Sequence, residues 1–356
     1  MLKKITLQNY RNYKNLSLDL GERTILFGNN AQGKTNILES IYLLCTLKSF
    51  RSKDVSLIGE NETFTSIEGE ADKKLKLVIQ NIDENIKKTA LKNGVKIKGP
   101  EFLKSFLAVI FSPEDVELIK ASPGARRRHL DILLCKLDPM YTEALIDFKR
   151  TLLQRNALLK NIKYKRATES DLEIWDKGFL ELGNFIIKKR KEFIELINKN
   201  IDVFYKKISG TDEVVRISYV TGYENIFLED ALKKALSYDI ICGTTGVGPH
   251  RDDIRFKKEG KDIREFGSRG EFRTVILALK LCEGDIFEKK LKKEVIYLLD
   301  DVFSELDSER RGALLKIIEE KQTVITATDL DHIAPEFMKG ADVYEVVDGK
   351  INKINN

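Results

Sequence analysis

The chain has 356 residues, of which 42% are hydrophobic and 33% charged, and 61 Lys and Arg against 56 Asp and Glu give a net charge of +5. This length exceeds what one hydrophobic core usually serves, so we expect two lobes. No apolar run is long enough to cross a bilayer, and residues 1–6 lack a signal-peptide block, which favours a soluble cytoplasmic protein without a membrane partner. The mild positive charge permits a nucleic-acid partner without requiring one.

The cysteines indicate neither a disulfide framework nor a metal site. They are few, widely spaced and form no C-x-x-C pair: Cys45, Cys135, Cys242 and Cys282. We predict that they are buried, reduced thiols.

A phosphate-binding loop is the strongest motif near the start of the chain. Residues 1–20 are predicted to form two short strands, and the apolar run 24–27 a third. The next residues fit G-x-x-x-x-G-K-[ST] without a mismatch, and a helical pattern follows: Gly28, Asn29, Asn30, Ala31, Gln32, Gly33, Lys34 and Thr35. An incidental glycine-rich turn would not need the strand before it and the helix after it.

The spacing of this loop has a physical reason. Two glycines let the backbone wrap a phosphate, while N–H groups at a helix start supply partial positive charge. Lys34 is predicted to reach the β- and γ-phosphates, and the hydroxyl of Thr35 to hold Mg²⁺.

The pattern alternates at first like strands and then becomes helical. Segments 63–70 and 74–81 are predicted to form a hairpin, Asn93-Gly94 a tight turn, and 106–111 a buried strand. Segment 125–208 has almost no strand signal, and Asp138-Pro139 is a typical helix start. Apolar residues spaced by three and four continue from Tyr141 to Ile162 and again from Leu172 to Ile186. We therefore predict a mainly helical lobe with a short antiparallel arm that bends within 163–170.

Strands return after residue 214, and with them a second set of polar residues. Segments 254–256 and 262–266 are predicted strands, and Gly267-Ser268-Arg269-Gly270 is predicted to open a helix. The apolar run 295–299 ends in Asp300-Asp301, the form of a buried strand that delivers carboxylates at its end. In P-loop proteins the first carboxylate commonly holds Mg²⁺, so we assign that role to Asp300 and the polarising of the attacking water to Asp301.

Together these elements follow the order of an ABC-type ATPase head. A Ser-x-Leu-Asp segment ending at Asp307 and a further strand at 323–329 complete the series. We predict an α/β fold: a P-loop ATPase head with a mixed sheet, made of residues 1–115 and 241–356, plus a mainly helical second lobe at 116–240. The last of these segments carries the signature helix, the Walker B strand and the D-loop.

At this level of detail the chain resembles the RecF family of recombination-repair ATPases, which is related to the SMC proteins. The matching stretches run from end to end: Asn9-Tyr10-Arg11-Asn12-Tyr13, Gly33 to Glu39, Ser49-Phe50-Arg51, Phe111 to Asp115, Arg126-Arg127-Arg128, Gly248 to Asp253 and Leu298 to Asp307. The phosphate loop alone is generic, whereas the Pro-His-Arg-Asp-Asp block joined to the Asp-Asp strand is highly specific.

The resemblance implies that ATP, with Mg²⁺, is sandwiched between two heads. It assigns Ser268, Gly270 and the helix start after them to the nucleotide of the partner head, so that ATP holds a homodimer and hydrolysis releases it. It also extends the predicted nucleotide contacts to Asn36, Asp307 and Thr328. Its implied partners are double-stranded DNA and single-strand/double-strand junctions, with RecR and RecO in the loading of RecA on gaps.

The chain shows three departures, of which the last bears on the expected rate. Ala31 replaces a further glycine, which we expect to be harmless, and Arg269 and Glu271 stand where glutamines are usual. Relative to transporter ATPases, Asp301 replaces a glutamate base and Thr328 a switch histidine. A shorter acid and a missing histidine both favour slow hydrolysis, which suits a timer better than a motor.

Basic residues that could contact DNA phosphates occur in several clusters. The candidates are Lys53, Lys73, Lys74, Arg126, Arg127 and Arg128. Any one cluster could instead be a solvated face. We find no base-reading module, so we expect recognition that is independent of DNA sequence and weakens steeply with salt.

Other classes of protein stay open at this point. A transporter-type ATPase subunit or another ABC ATPase would share the loop and the carboxylates, and a small-molecule kinase would share the loop alone. A purely structural DNA-binding protein would not need a complete nucleotide site.

Overall fold

The computed structural model describes residues 1–331 and 333–354; residues 332, 355 and 356, which the predicted third segment includes, lie outside the described part. In chain order the strands are β1 Lys4–Tyr10, β2 Tyr13–Asp19, β3 Arg23–Phe27, β4 Phe64–Glu70, β5 Lys74–Ile82, β6 Asn85–Lys92, β7 Val95–Lys96, β8 Leu107–Phe111, β9 Val215–Val220, β10 Asp253–Lys258, β11 Lys261–Asp262, β12 Val295–Asp300, β13 Thr323–Ala327, β14 Asp342–Val347 and β15 Lys350–Ile354. The α-helices are α1 Lys34–Thr46, α2 Gly99–Leu103, α3 Glu117–Lys120, α4 Pro123–Leu137, α5 Pro139–Lys163, α6 Glu173–Asn198, α7 Ile201–Ser209, α8 Leu228–Cys242, α9 Ile263–Phe266, α10 Arg269–Leu291, α11 Ser308–Ile318 and α12 Pro335–Met338. Short 3₁₀ helices occupy Asp54–Leu57, Pro113–Val116, Glu169–Leu172 and Val302–Glu305.

The chain divides into two units, which differ in part from the predicted segments. One unit contains residues 1–116, 203–211 and 273–356, and the other contains 117–202 and 212–272. Residues 241–272 were predicted to belong to the ATPase head, but their contacts group them with the helical unit, and 203–211 group with the head. The sequence pattern could not show this, because it locates elements and not the neighbours against which they pack.

The first unit is built on a mixed sheet with the order β15-β14-β3-β13-β12-β8. From β8 to β14 the strands are parallel, and β15 pairs antiparallel with β14 at one edge. Every residue of β8, β12 and β13 is buried, which explains why these segments are unbroken apolar runs. All their carboxyl ends lie at one edge of the sheet, where the loops after β3, β8, β12 and β13 begin.

A second, antiparallel sheet completes the core of this unit. Its order is β2-β1-β4-β5-β6-β7, and its hairpins include the predicted pair around residues 63–81 and the turn at Asn93-Gly94. One buried cluster joins Leu7 of β1 and Ile67 of β4 to Ile41 of α1 and to Leu298 and Val324 of the mixed sheet. Helix α1 is therefore packed between the two sheets, which fixes the phosphate loop that precedes it.

The second unit contains the predicted helical arm. Helices α5 and α6 have 25 and 26 residues, about 38 Å each at 1.5 Å per residue. Asp138 caps α5 by accepting hydrogen bonds from the N–H groups of Met140 and Tyr141. Phe148 and Phe179 meet across the pair with ring centroids 5.1 Å apart.

Two expectations about local structure were wrong. Segment 262–266 is not a strand: β11 ends at Asp262, whose side chain accepts a hydrogen bond from the N–H of Arg264 and starts helix α9. The cap that Asp262 provides favours a helix here and outweighs the strand-like residue pattern of the segment. Cys45 and Cys282 are buried as predicted, but Cys135 is half-buried and Cys242, at the end of α8, is exposed. No helix among the described residues is both long and apolar enough to cross a membrane.

Buried arginines hold the helices of the second unit together. Arg155, fully buried, pairs with Asp176 of α6 at 2.7 Å and with Asp239 of α8 at 3.1 Å. Arg190 pairs with Asp131 of α4 at 2.8 Å and donates to the carbonyl oxygen of Pro249 at 2.6 Å. Breaking such a pair on one side typically costs about 3–5 kcal/mol, because it leaves an uncompensated buried charge.

The Pro-His-Arg-Asp-Asp block lies inside this polar core. The His250 ring packs against Phe148 and Phe179, and its Nε2 lies 3.0 Å from the carbonyl oxygen of Thr245. Burial lowers the pKa of His250 to about 4. Burial also raises the pKa of Asp252, which accepts a hydrogen bond from the Tyr219 hydroxyl, to about 6. The block therefore works as a scaffold of the helical unit.

The pKa of His250 predicts acid sensitivity of this unit. The unfolded state takes up the proton near pH 6.5 and the folded state only near pH 4, so the free energy of unfolding falls as pH drops through this window, by at most about 1.4 kcal/mol per pH unit. Urea unfolding of the full chain at about pH 7, 6 and 5 tests this, followed by fluorescence of Trp175, the single tryptophan, which lies on α6.

The matched control is His250→Gln, which cannot titrate. Because Asp252 contributes with the opposite sign between about pH 4 and 6, the quantity that counts is the difference in slope between the two proteins. Equal slopes would contradict the assignment of acid sensitivity to His250.

Candidate nucleotide site at the carboxyl edge of the parallel sheet

The phosphate loop connects β3 to α1, and its backbone requires its two glycines. Gly28 and Gly33 have φ angles of 143° and 112°, which favour glycine. A Cβ at Gly28 would lie 2.5 Å from the carbonyl oxygen of Val346, and one at Gly33 would lie 2.6 Å from the hydroxyl of Tyr13. Ala31 also has positive φ, 65°, a conformation that costs a non-glycine residue about 1–2 kcal/mol. This explains why a glycine would suit that position.

Lys34 lies over the loop and is already held there. Its side chain is 6% exposed, and its ammonium group donates to the carbonyl oxygens of Gly28 and, at 2.7 Å, Asn29. Burial lowers the pKa of Lys34, and the charges of Asp301 and Asp300 oppose that effect. The nearby carboxylates of Asp300 and Asp301 therefore favour the charged form of Lys34. Its N–H donors, now bonded to carbonyl oxygens, can equally donate to phosphate oxygens.

Thr35 and Asp300 meet as the predicted metal site requires. The Thr35 hydroxyl donates to Oδ1 of Asp300 at 2.8 Å, and Thr326 of β13 donates to the same oxygen at 2.8 Å. Asp300 is 7% exposed, so its carboxylate is fixed by these two hydroxyls. Within residues 1–331 and 333–354 there is no cluster of three or more His, Cys, Asp or Glu that could hold a metal on its own. Mg²⁺ that arrives with a nucleotide needs fewer protein ligands, because phosphate oxygens and water complete its shell.

Asp301 turns away from the strand geometry of Asp300. Its φ is 49°, its N–H donates to the Thr326 hydroxyl at 3.0 Å, and its carbonyl oxygen accepts from Ser304 at 2.7 Å. Burial raises the pKa of Asp301. Burial, followed by the charge of Asp300, also raises the pKa of Glu114, which lies after β8 at the same edge. A carboxylate with a raised pKa is a better proton acceptor than an ordinary surface aspartate.

A cavity of about 480 Å³ adjoins the loop on the side of β14. Its lining includes Gly28, Asn29 and Gln32 of the loop, Thr328 after β13, and Asp348. Such a volume is within the range of small-molecule sites. The structure thus brings Thr328 next to the loop, where its hydroxyl lies 3.3 Å from the Asp329 carboxylate.

A group of residues below the loop had no predicted role, although the family resemblance included several of them. Asn12 donates to the carbonyl oxygen of Gln32 at 3.2 Å and accepts from Asn36 at 2.7 Å. The buried hydroxyl of Tyr13, next to Gly33, has no hydrogen-bond partner among the residues that the structure describes. The N–H groups of Asp348 and Gly349 both reach Gln32. The loop is therefore supported by the β1–β2 turn, β2 and the turn before β15, a tertiary arrangement that no local motif signals.

Glu39 organises the other side of α1. It is fully buried and accepts hydrogen bonds from Arg11 (two, each 2.9 Å), Tyr10, Arg51, Ser49 and Ser52. Burial alone would raise its pKa, but the bonds from Arg11 and Ser49 lower the pKa of Glu39 to about 2. Arg51 also donates to the side chain of Asn36, so this cluster is linked to the first turn of α1.

The remaining predicted nucleotide residues lie at helix starts. Ser268 and Gly270 belong to the helical unit and are described with it: Ser268 precedes α10, its hydroxyl accepts from the N–H of Glu271 at 3.3 Å, and Glu271 accepts from the N–H of Ser268 at 2.7 Å. This is a capping box. Lys258 pairs with Glu271 and, with the Ser268 N–H, lowers the pKa of Glu271 to about 2. In the first unit, Asp307 caps α11 through the N–H of Arg310 at 2.9 Å.

The six predicted DNA contacts differ in accessibility. Lys53, Lys73 and Arg128 are exposed, and Lys74 is exposed but lies 3.2 Å from Glu70. Arg127 is half-buried and donates to the carbonyl oxygen of Asp252. Arg126 is 1% exposed, pairs with Asp253 and donates to the carbonyl oxygens of Ile119 and Ala121. Contact with DNA does not fit Arg126, because its guanidinium is already engaged within the helical unit.

Comparison with known proteins defines the class of this fold and site. The model of the RecF/RecN/SMC N-terminal domain family matches residues 1–345. The structure of an Smc head domain from Pyrococcus furiosus aligns over 99% of this chain and 96% of its own with a TM-score of 0.52 at 17% identity, which is a likeness of fold alone. The chain is thus an ATPase-type head of the RecF/RecN/SMC class, with a mixed α/β architecture.

Full-length relatives narrow this class to one family. The DNA replication and repair protein RecF of Agathobacter rectalis is 41% identical over 100% of this chain and 99% of its own length, and that of Lachnoclostridium phytofermentans is 38% identical over 99% of both. A structure of the recombination mediator protein RecF with ATP, described as part of the RecFOR pathway, covers 99% of this chain and 97% of its own with a TM-score of 0.90 at 36% identity. The chain belongs to the RecF family of DNA replication and repair proteins.

The site predicts a specific effect of Lys34→Ala. The variant removes the ammonium that sits over the loop, and charge-assisted hydrogen bonds are worth about 1.5–3 kcal/mol each, so ATP affinity should fall about 100-fold or more. Titration with a fluorescent ATP analogue measures this. Lys14→Ala, which changes an exposed lysine of β2, is the matched control. Unchanged affinity in a folded Lys34→Ala protein would contradict the assignment of the loop.

Proposed function

We propose that this protein is an ATP-dependent, DNA-binding switch of recombinational repair and replication restart. The observation that carries the proposal is the contact between Thr35 at the end of the phosphate loop and Asp300 at the end of β12. In the proposed role this pair would hold Mg²⁺ between protein and nucleotide, and Lys34 and the N–H groups of the loop would bind the phosphates. Mg²⁺, when bound, would neutralise charge on the β- and γ-phosphates.

Slow hydrolysis follows from the groups available to activate water. Asp301 is the proposed base: its pKa is raised by burial, which favours proton uptake, but its side chain is shorter than glutamate and its backbone is in a left-handed conformation. Thr328 lines the cavity beside the phosphate loop and offers a hydroxyl in place of an imidazole. We infer a low basal rate that DNA binding increases.

We further propose that ATP joins two copies of the chain. In this arrangement the start of α10 in one copy completes the phosphate site of the other. Its support is local geometry: the Ser268 hydroxyl accepts the Glu271 N–H, which leaves the hydroxyl proton for a phosphate oxygen. The positive end of the helix dipole at the start of α10 also favours an anion.

We propose that the protein binds DNA, and the names of its relatives support this proposal. Proteins 36–41% identical to this chain are named DNA replication and repair proteins or a recombination mediator of the RecFOR pathway. We propose binding to duplex DNA and single-strand/double-strand junctions, with help from RecR and RecO in loading RecA at gaps. Exposed Lys53, Lys73, Lys74 and Arg128 are the candidate phosphate contacts. Because the chain matches these relatives over its full length, we do not propose the alternative function of a transporter-type ATPase subunit.

Asp301→Asn should separate binding from hydrolysis. The amide keeps the shape of the side chain but cannot accept the proton, so ATP-driven dimers should persist while turnover drops about 100-fold or more. Phosphate release with duplex DNA present measures turnover, and Asp83→Asn, at an exposed turn where φ is also positive, is the control. Rapid turnover in Asp301→Asn would remove this residue as the base.

Ser268→Arg should separate nucleotide binding from pairing. The arginine places a large side chain at the helix start that is proposed to meet the partner's γ-phosphate, so the variant should bind ATP but remain a monomer. Size-exclusion chromatography with light scattering, with and without ATP and duplex DNA, reports the mass. Ser170→Arg, at an exposed serine of the helical unit, should dimerise normally. ATP-dependent dimers of Ser268→Arg would refute the role across the interface.

A further inference from the structure

A cavity of about 520 Å³ lies in the first unit, at the edge of the parallel sheet opposite to the phosphate loop. Its lining includes Leu107, the first residue of β8, Ile296, the second residue of β12, and Gln322, immediately before β13. Strands rise about 3.3 Å per residue, so the four steps along β12 from Ile296 to Asp300 separate this lining from the nucleotide edge by about 13 Å. It is therefore a second concave site, distinct from the nucleotide edge.

The floor of this cavity is apolar and rigidly held. Leu2, Leu75, Leu107 and Ile296 are all at most 4% exposed, and half-buried Phe106 lies beside them. Gln322 fixes the amino-terminal segment, because its side chain accepts from the N–H of Leu2 at 2.8 Å and donates to the carbonyl oxygen of Leu2 at 2.6 Å. The floor thus offers a preformed place for an apolar side chain.

The rim is basic. Lys73 at the β4–β5 turn, Lys92 at the end of β6, and Lys292 and Lys293 before β12 surround the opening. Two acidic residues also line it: Asp72, and Glu294, which pairs with the terminal amine of Met1 at 3.1 Å. Lys92 pairs with Glu101 at 2.9 Å. Lysines therefore outnumber the acidic residues at the mouth of the cavity.

These lysines are close enough to repel one another. Burial lowers the pKa of Lys293, and the charges of Lys73, Lys92 and Lys104 lower it further. An anion placed among them would relieve this repulsion, and the gain is larger where several like charges share one opening. The arrangement selects a ligand with more than one negative charge.

Two kinds of polyanion could match the basic rim, duplex DNA and an acidic peptide, and the apolar floor distinguishes between them. Duplex DNA presents phosphates on its outer surface and has no exposed apolar group that could enter a recessed floor. A peptide that carries Asp or Glu next to a large apolar residue satisfies rim and floor together. An apolar anchor in a pocket surrounded by charged contacts is the usual form of a small protein–protein hot spot.

We propose that the cavity lined by Leu2, Leu107 and Ile296 binds an acidic peptide segment of a partner protein, with one apolar side chain on the floor and carboxylates at Lys292 and Lys293. The site is independent of the proposed nucleotide chemistry, because it lies at the other end of the strands. It would let the first unit hold a partner while the carboxyl edge is engaged with nucleotide.

The test uses a panel of short, fluorescein-labelled peptides rich in Asp and Glu, each with a single Phe placed in turn at each position, titrated against the full chain and followed by anisotropy. At least one peptide should bind, and replacing its Phe with Ser should weaken binding about 10-fold, equivalent to about 1.4 kcal/mol. The charge-reversed variant Lys292→Glu/Lys293→Glu should lose a similar factor or more. Both substituted lysines are exposed, so the fold should persist, and unchanged ATP binding checks it.

The matched control is Lys14→Glu/Lys87→Glu, which reverses two exposed lysines of the same unit that do not line the cavity. It should bind the peptide as the unmodified chain does. The proposal is overturned if no peptide of the panel binds, if both double variants weaken binding equally, or if the Ser-substituted peptide binds as well as its parent. Competition by a short DNA duplex that is as strong as that by unlabelled peptide would identify the cavity as a phosphate surface instead.

Discussion

One hydrogen bond, from the Thr35 hydroxyl to the Asp300 carboxylate, summarises the constraint on which the first unit depends. It exists because β3 and β12 run parallel on either side of β13, so the loops after them begin at the same edge. Thr326 supplies a second hydroxyl to the same oxygen and so satisfies a buried carboxylate that would otherwise be costly. A metal ion bound with nucleotide would take over part of this role, and occupancy would thereby change how loop and strand are joined.

The helical unit depends on a different kind of bond, the buried ion pair. Arg155 joins α5 to α8 through Asp239, Arg190 joins α6 to α4, and Arg126 joins α4 to β10. Apolar residues of similar volume could be equally stable, so the pairs are better understood as fixing which helix faces which. The block from Pro249 to Asp253 contributes to this scaffold. A highly specific sequence signature can thus record a requirement of packing and not a contact with ligand.

Sequence predicted best what is local or strictly periodic. The phosphate loop, the strand before Asp300 and the cap at Asp138 each depend on neighbouring residues, and the structure has all three. Contacts between distant segments were not predicted. Nothing in the sequence pattern shows that Asn12 donates a hydrogen bond to Gln32, or that two arginines donate to Glu39. The division into units and the burial of Arg126 were missed for the same reason. A basic triplet looks alike whether its partner is solvent, a phosphate or an aspartate of the same chain.

The capping box at the start of α10 makes the departures from the family pattern chemically intelligible. Glu271 satisfies the N–H of Ser268, but an uncompensated carboxylate there would repel an incoming phosphate. Lys258 pairs with Glu271 and, at 2.9 Å, with Glu213, so it offsets part of the carboxylate charge at this helix end while the cap is retained. A glutamine at this position could cap without a charge and would need no lysine. The Glu271–Lys258 pair is therefore a partial electrostatic substitute for an amide. In the proposed role across the interface, phosphate binding at this helix end would depend on a salt bridge that ions in solution can screen.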